Sequence, residues 1–344
     1  MDFASDNVFG VHPRILEALV TANAGTAVSY GADDWTKRAE QRLGEVFERD
    51  VSAFLVVTGT AANALALSAM VPPYGALLCH AEAHIMVDEC GAPELFTGGA
   101  KLIGLDEPGG KITAKSIERT LDGFVRAEHD PKPAAISITQ ASEMGTVYAL
   151  AEIEAISELA RRRGLRLHMD GARFANALVS LAVTPAEATW KAGVDAMSFG
   201  ATKNGAMALE AVVFFDQALA EDFQYRRMRA GQLLSKGRFL GAQMLAYLDG
   251  DLWLDNARHA NAMAQRLAKG VAASTRARLV LPAEANEVFA VIPDALHDEL
   301  AAAGVVFHQW PGTDHAGPGE FLARFVASYL TSPEDVDRLI ELLG

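Results

Sequence analysis

The chain has 344 residues, 50% of them apolar, and a formal net charge of −14. That is enough chain to bury a large core and divide it between a major and a minor lobe, while the acid excess disfavours a nucleic-acid surface. Two cysteines, Cys79 and Cys90, give neither a disulfide framework nor a zinc spacing. No apolar run approaches the roughly 20 residues that span a bilayer. The opening Met1-Asp2-Phe3-Ala4-Ser5-Asp6-Asn7 lacks a basic segment followed by an apolar stretch, so the expected compartment is the cytoplasm.

In chain order, short β-rich runs alternate with helical patterns through the first two thirds. The expected strands are 53–58, 77–80, 101–105, 134–139, 165–169, 196–199 and 211–215, with apolar residues at helical spacing in 61–70, 153–160 and 220–229. This alternation predicts an α/β domain built on a mostly parallel, doubly wound seven-stranded sheet flanked by helices. From about Gly241 the pattern changes to a long helix, short strands at 279–281 and 287–292, a helix near 295–303 and a closing helix after Ser332-Pro333-Glu334-Asp335. Ser332 as cap and Pro333 at the first helical position make a good helix start. The predicted organisation is an N-terminal segment (1–14), a large domain (15–240) and a smaller C-terminal α/β domain (241–344), without repeats or low-complexity linkers.

Two basic clusters interrupt the acidic background. Arg161-Arg162-Arg163 ends a helical pattern, where cations suit the negative pole of the helix. Arg226-Arg227-Met228-Arg229 supplies local positive charge of the kind an anionic cofactor needs.

Four segments carry chemistry. Val57-Thr58-Gly59-Thr60-Ala61-Ala62-Asn63 follows a strand and opens an apolar helix, so its small residues let backbone N–H groups approach a phosphate. Alone it reads equally as a plain strand-to-helix turn. His84 lies just beyond the strand ending at Cys79 or His80; it can stack on a flat heteroaromatic ring, with Glu89 five residues on, or belong to a solvated loop. Asp170 ends an apolar run and would otherwise be an unpaired acid; it can hold a protonated ring nitrogen, and Arg173 can grip a carboxylate or form a structural ion pair. Lys203 is delivered by small residues into what reads as a packed interior, and a buried amine is costly unless it has chemistry to do. An acid for a pyridinium nitrogen and a lysine to bond an aldehyde are what pyridoxal phosphate requires.

The order Thr58-Gly59-Thr60, His84, Asp170, Lys203 resembles the type I fold of pyridoxal-phosphate enzymes, the PLP-dependent transferase-like architecture. More closely the chain resembles the low-specificity L-threonine aldolases, including their phenylserine aldolase branch. The likeness runs through Ser5-Asp6-Asn7, Tyr30-Gly31-Ala32-Asp33-Asp34-Trp35, the Gly59 turn, His84 to Gly91, Thr139-Gln140, His168 to Arg173, Phe199 to Gly205 and Ala323-Arg324-Phe325.

The resemblance implies a residue-by-residue assignment. Lys203 would bond the cofactor, Asp170 would pair its ring nitrogen, His84 would stack on its ring, and Thr58, Gly59 and Thr60 would hold its phosphate. Ser5, Arg173 and Arg324 would bind the substrate carboxylate, and His129 would match a second histidine near the substrate hydroxyl. Tyr30 would reach a neighbouring subunit's site, in a homo-oligomer built as a dimer of dimers. The β-hydroxyl proton would go to His84, His129 or a water held between them and Glu89. Two departures stand out: Ala230-Gly231-Gln232-Leu233-Leu234-Ser235-Lys236 replaces a segment whose arginine contacts the phosphate, leaving Lys236 or Arg229 for that task, and Gln140 replaces an asparagine. Both are shared with the phenylserine aldolase branch. The expected activity is retro-aldol cleavage of L-β-hydroxy-α-amino acids. The alternatives are another type I enzyme, a β-eliminating lyase or aminotransferase, and a non-catalytic cofactor-binding protein.

Overall fold

The computed structural model describes residues 1–311 and 315–344. All seven expected strands of the larger sheet form: β1 (Ser52–Val56), β2 (Gly75–His80), β3 (Lys101–Leu105), β4 (Lys132–Thr139), β5 (Arg166–Gly171), β6 (Ala196–Gly200) and β7 (Glu210–Phe214). Their order is β1-β7-β6-β5-β4-β2-β3. β2 to β6 pair in parallel, and β7 runs antiparallel to both its neighbours. Their continuous apolar runs follow from burial on both faces: β2, β6 and β7 are buried at every position.

Two glycines let the middle of the sheet close on the turn that follows it. A Cβ on Gly171 would stand 2.5 Å from the Ser198 carbonyl, and one on Gly200 would stand 2.5 Å from the Ala172 carbonyl. Any side chain would push apart the ends of β5 and β6, from which Asp170 and Lys203 emerge. Below them lies an aromatic cluster in which Phe199 meets Phe47, Phe174, Tyr247 and Trp253, with ring centroids 5.9, 6.2, 6.2 and 5.5 Å away.

A second, antiparallel sheet has the order β10-β11-β9-β8, with β8 (Arg278–Leu279), β9 (Glu287–Pro293), β10 (His308–Gln309) and β11 (Glu320–Val326). The central strand β11 is absent from the predicted elements. The expected helix start is seen at Ser332, whose hydroxyl accepts the Asp335 N–H (3.1 Å), and the expected helix end after Arg161-Arg162-Arg163, where Gly164 closes Leu150–Arg163 at φ +68°. The long helix predicted after Gly241 is two, Arg238–Leu248 and Leu252–Ala273, broken where Gly250 and Asp251 take positive φ.

The hydrophobic clusters cut across the sequence division at 240. Leu240, Met244, Tyr247, Leu248, Leu252, Trp253 and Ala257 belong to the core of the larger sheet, although 241–257 was assigned to the smaller domain. Conversely Phe3, from the N-terminal segment, lies in the core of the smaller sheet. No helix among the described residues is long and apolar enough to cross a membrane.

Candidate active site

A cavity of about 260 Å³ opens where the parallel strands end, the edge at which α/β sheets bind ligands. Its walls include Thr58, Gly59 and Thr60 after β1, His84 after β2, Asp170 at the end of β5, and Thr202 and Lys203 after β6. The helix Gly59–Met70 starts with Thr58 as cap, its hydroxyl accepting the Ala61 N–H (3.1 Å). The N–H groups of Gly59 and Thr60 are among the donors that the first turn of a helix cannot satisfy. Nothing lies within 4 Å of where a Gly59 Cβ would be.

Lys203 is half-buried on the cavity wall and not enclosed in the packed interior that its small neighbours suggested. Its backbone is fixed by Asn204, whose side-chain amide donates to the Tyr247 hydroxyl (2.9 Å) and the Trp253 carbonyl (2.7 Å) while Asn256 donates to its carbonyl (2.9 Å).

Asp170 is 3% exposed and accepts the Ala172 N–H (2.9 Å) on one oxygen and the Asn63 amide (2.7 Å) on the other. The same Asn63 amide donates to Glu89 Oε1 (2.8 Å), which also meets His84 Nδ1 (2.9 Å), and Asn63 Oδ1 accepts the Ser198 hydroxyl (2.7 Å). Since Glu89 Oε1 already accepts from Asn63, His84 Nδ1 is the donor in this contact and Nε2 is left without its proton in the neutral ring. The hydrogen bond to Glu89 raises the His84 pKa, and burial raises that of Glu89. Neither Asn63 nor Ser198 had been given a role; the available signal was an asparagine inside a helix buried continuously from Ala62 to Ser68.

Other residues lie apart from the cavity lining. Arg173 is not among the cavity-lining residues: its Nε and Nη2 donate to Asp6 (2.9 and 3.2 Å), and Nη2 stands 3.4 Å from Glu287 Oε1. Asn286 also donates to Asp6 (3.1 Å). Burial works to raise the Asp6 pKa, but Arg173 and these donors bring it below the usual carboxylate value. Arg324, over the Trp310 ring at 4.3 Å, approaches Glu287 Oε1 at 3.8 Å and keeps a buried Nε without a partner among the described residues. Ser5 caps the short turn Asp6–Val8, accepting the Asn7 N–H, and Asn7 rather than Ser5 lines the cavity.

His129 is exposed in the turn Ala127–His129, which leads into the start of β4. The cavity is at the other end of that eight-residue strand, roughly 25 Å away at the rise of a strand. It is therefore not brought to His84. Tyr30, Arg229 and Lys236 are exposed and also outside the cavity. Tyr30 N–H donates to the Ser235 carbonyl (3.0 Å), so Tyr30 and the segment before Lys236 share one surface.

Comparison with known proteins places this geometry. Residues 2–295 match the family model described as beta-eliminating lyase. The chain belongs to the beta-eliminating lyase family. Within it, the chain is 45% identical to a low specificity L-threonine aldolase of Pseudomonas aeruginosa, covering 99% of this chain and 95% of that one. Among solved structures it matches the threonine aldolase of Leishmania major with a TM-score of 0.93 and 30% identity, over 99% of this chain and 98% of that one. Serine palmitoyltransferase of Sphingomonas wittichii, 17% identical, shares the fold with a TM-score of 0.72 over 100% of this chain and 86% of that one.

Two carboxyl groups of this lyase-family cavity had no place in the sequence reading. Glu210, at the start of β7 opposite Val56, accepts the Ala201 N–H (3.1 Å), and burial pushes its carboxyl up to about 7. Glu143 is the other.

Proposed function

We propose that the chain is a pyridoxal-phosphate-dependent aldolase that cleaves L-threonine, L-allo-threonine and related L-β-hydroxy-α-amino acids, L-phenylserine among them, to glycine and an aldehyde. The observation that carries this reading is that Lys203, Asp170, His84 and the Thr58-Gly59-Thr60 turn line one cavity. Two of the relatives just given are named threonine aldolases.

The residues suit the cofactor. A buried acid held on both oxygens by N–H donors is set to keep a pyridine nitrogen protonated, and unspent N–H groups beside an uncrowded glycine suit a phosphate. When bound, pyridoxal phosphate takes up the electron pair left at Cα once a bond to that carbon breaks. Lys203 Nζ would hold the cofactor and return a proton to Cα. His84 would lie against the ring, held by Glu89, with Nε2 toward the cavity. Asn63 keeps Asp170 and Glu89 in register. Arg324, outside the cavity lining as Arg173 is and 3.8 Å from Glu287, keeps an unpartnered buried Nε among the described residues and would be the cation for the substrate carboxylate, since Arg173 donates to Asp6. Fixing the carboxylate sets which bond at Cα lies perpendicular to the ring, and so which bond breaks.

The oligomer follows from the same reading. Tyr30 and Ser235-Lys236, adjacent and exposed, would complete the site of a second subunit in a dimer of dimers, with Lys236 or Arg229 supplying the phosphate contact. Free Cys79 and Cys90 suit the cytoplasm.

The test is an absorbance spectrum of purified protein with pyridoxal phosphate, wild type and Lys203→Ala, followed by product analysis on a panel of L-β-hydroxy-α-amino acids. Aldehyde and glycine in equal amounts are expected. Ammonia and an oxo acid would assign an eliminating lyase instead, and bound cofactor without turnover would assign a binding protein.

A further inference from the structure

The cavity contains an acid that the preceding roles leave idle. Glu143 lines it beside His84, Asp170 and Lys203, is 8% exposed, and has no hydrogen-bond or ion-pair partner among the described residues. Its carboxyl oxygens are not among the fully buried unpartnered atoms of the described residues; they are reached from the cavity and are free to accept a hydrogen bond from what binds there.

Its placement is fixed by the turn that carries it. Gly145 N–H donates to the Ser142 carbonyl and Ser142 N–H to the Thr146 carbonyl, both at 2.9 Å. The Ser142 hydroxyl meets the Thr146 hydroxyl (2.7 Å), which donates to the Gly109 carbonyl (2.6 Å). Gly145, at φ +70°, packs against Glu287, where an added Cβ would meet Glu287 Cβ at 3.1 Å. Of the two residues at the turn's tip, Met144 enters the smaller lobe with Phe289, Val291 and Leu322, and Glu143 faces the cavity. Glu143 is thus within electrostatic reach of His84, Arg173, Glu287 and Arg324.

We propose that Glu143 is the base that removes the β-hydroxyl proton, taking the place that the sequence offered to His129. The assignment rests on the aldolase reading. An anionic side chain there repels the substrate carboxylate but accepts a hydrogen bond from a β-hydroxyl. The hydroxyl proton passes to a Glu143 oxygen, the Cβ–O bond becomes C=O, and the Cα–Cβ bond breaks with its electron pair left at Cα, where the cofactor would take it up. Lys203 then protonates Cα, and the proton on Glu143 leaves to solvent after the aldehyde does.

The experiment separates bond cleavage from the rest of the chemistry. Wild type, Glu143→Gln and Glu143→Asp are compared for aldehyde release from L-threonine and L-phenylserine and for exchange of the glycine α-hydrogen in D₂O by NMR, which needs cofactor and Lys203 but no β-hydroxyl. In Glu143→Gln, kcat for aldehyde release falls by about 10²–10⁴-fold, glycine exchange stays close to wild type, and Glu143→Asp recovers part of the loss. Aldehyde release close to wild type in Glu143→Gln, or parallel loss of exchange and release in both variants, overturns the assignment. A wild-type protein that exchanges glycine hydrogen yet releases no aldehyde sinks the aldolase reading, and this assignment with it. That result is distinct from a failure of Glu143 alone, in which the wild type does release aldehyde.

Discussion

Glu210 and Asn63 show how single residues set the cavity's chemistry. In the folded chain burial favours the neutral form of Glu210, up to about pH 7, against an ordinary value near 4.5. The folded state therefore holds a proton that the unfolded chain gives up. The stabilisation is complete below about 4.5 and is lost as pH rises through about 7, a change of roughly 3 kcal/mol for a shift of this size. Glu210→Gln should flatten the stability of the cofactor-free protein between those pH values, measured by denaturant unfolding; an unchanged slope would remove this role. Asn63→Ala should weaken pyridoxal phosphate binding by about tenfold or more, because Glu89 and Asp170 each lose a donor. A fluorescence titration giving wild-type affinity would contradict that.

At the scale of elements, the seven strands were legible because both faces of the sheet are covered and their sequences read as unbroken apolar runs. β11 was not, because Arg324 sits in its middle and turns toward Trp310 and Glu287, which interrupts the alternation. The break between Arg238–Leu248 and Leu252–Ala273 was missed because the apolar pattern resumes directly beyond Gly250. The aromatic packing behind the sheet was equally hidden: Phe199 reads as an ordinary strand residue, yet four aromatic rings converge on it. Phe199→Ala should cost about 3–5 kcal/mol in unfolding free energy at fixed cofactor concentration. A loss below about 1 kcal/mol would mean the cluster relaxes into the gap.

For the whole molecule, contacts within a motif were readable and contacts between distant segments were not. Thr58, Asp170 and Lys203 each announce themselves by their neighbours. Asp6 gripping Arg173, and Asn286 gripping Asp6, join positions 167 and 280 residues apart. His129 precedes β4, so the chain order itself puts it at the end of that strand opposite the cavity. The N-terminal segment is stitched into the smaller lobe: Phe3 N–H donates to the Val306 carbonyl, Val326 N–H to the Phe3 carbonyl (both 2.8 Å), and the Phe3 ring meets Phe325 edge-on at 6.4 Å. Phe3→Ala should lower stability by about 3–5 kcal/mol and speed hydrogen exchange in β11 more than in β5; equal effects on both strands would show that the segment does not favour either lobe.

The junction of Asp6, Arg173 and Glu287 also divides the cavity's surroundings between two layers. Thr58, Asp170 and Lys203 all follow or end strands of the larger sheet. The substrate's half needs three separately folded pieces to meet: the N-terminal turn, the helix after β5 and the edge of the smaller sheet. Residues that would hold the cofactor are thus set by one layer, whereas the cations near the substrate are set by contacts between distant segments.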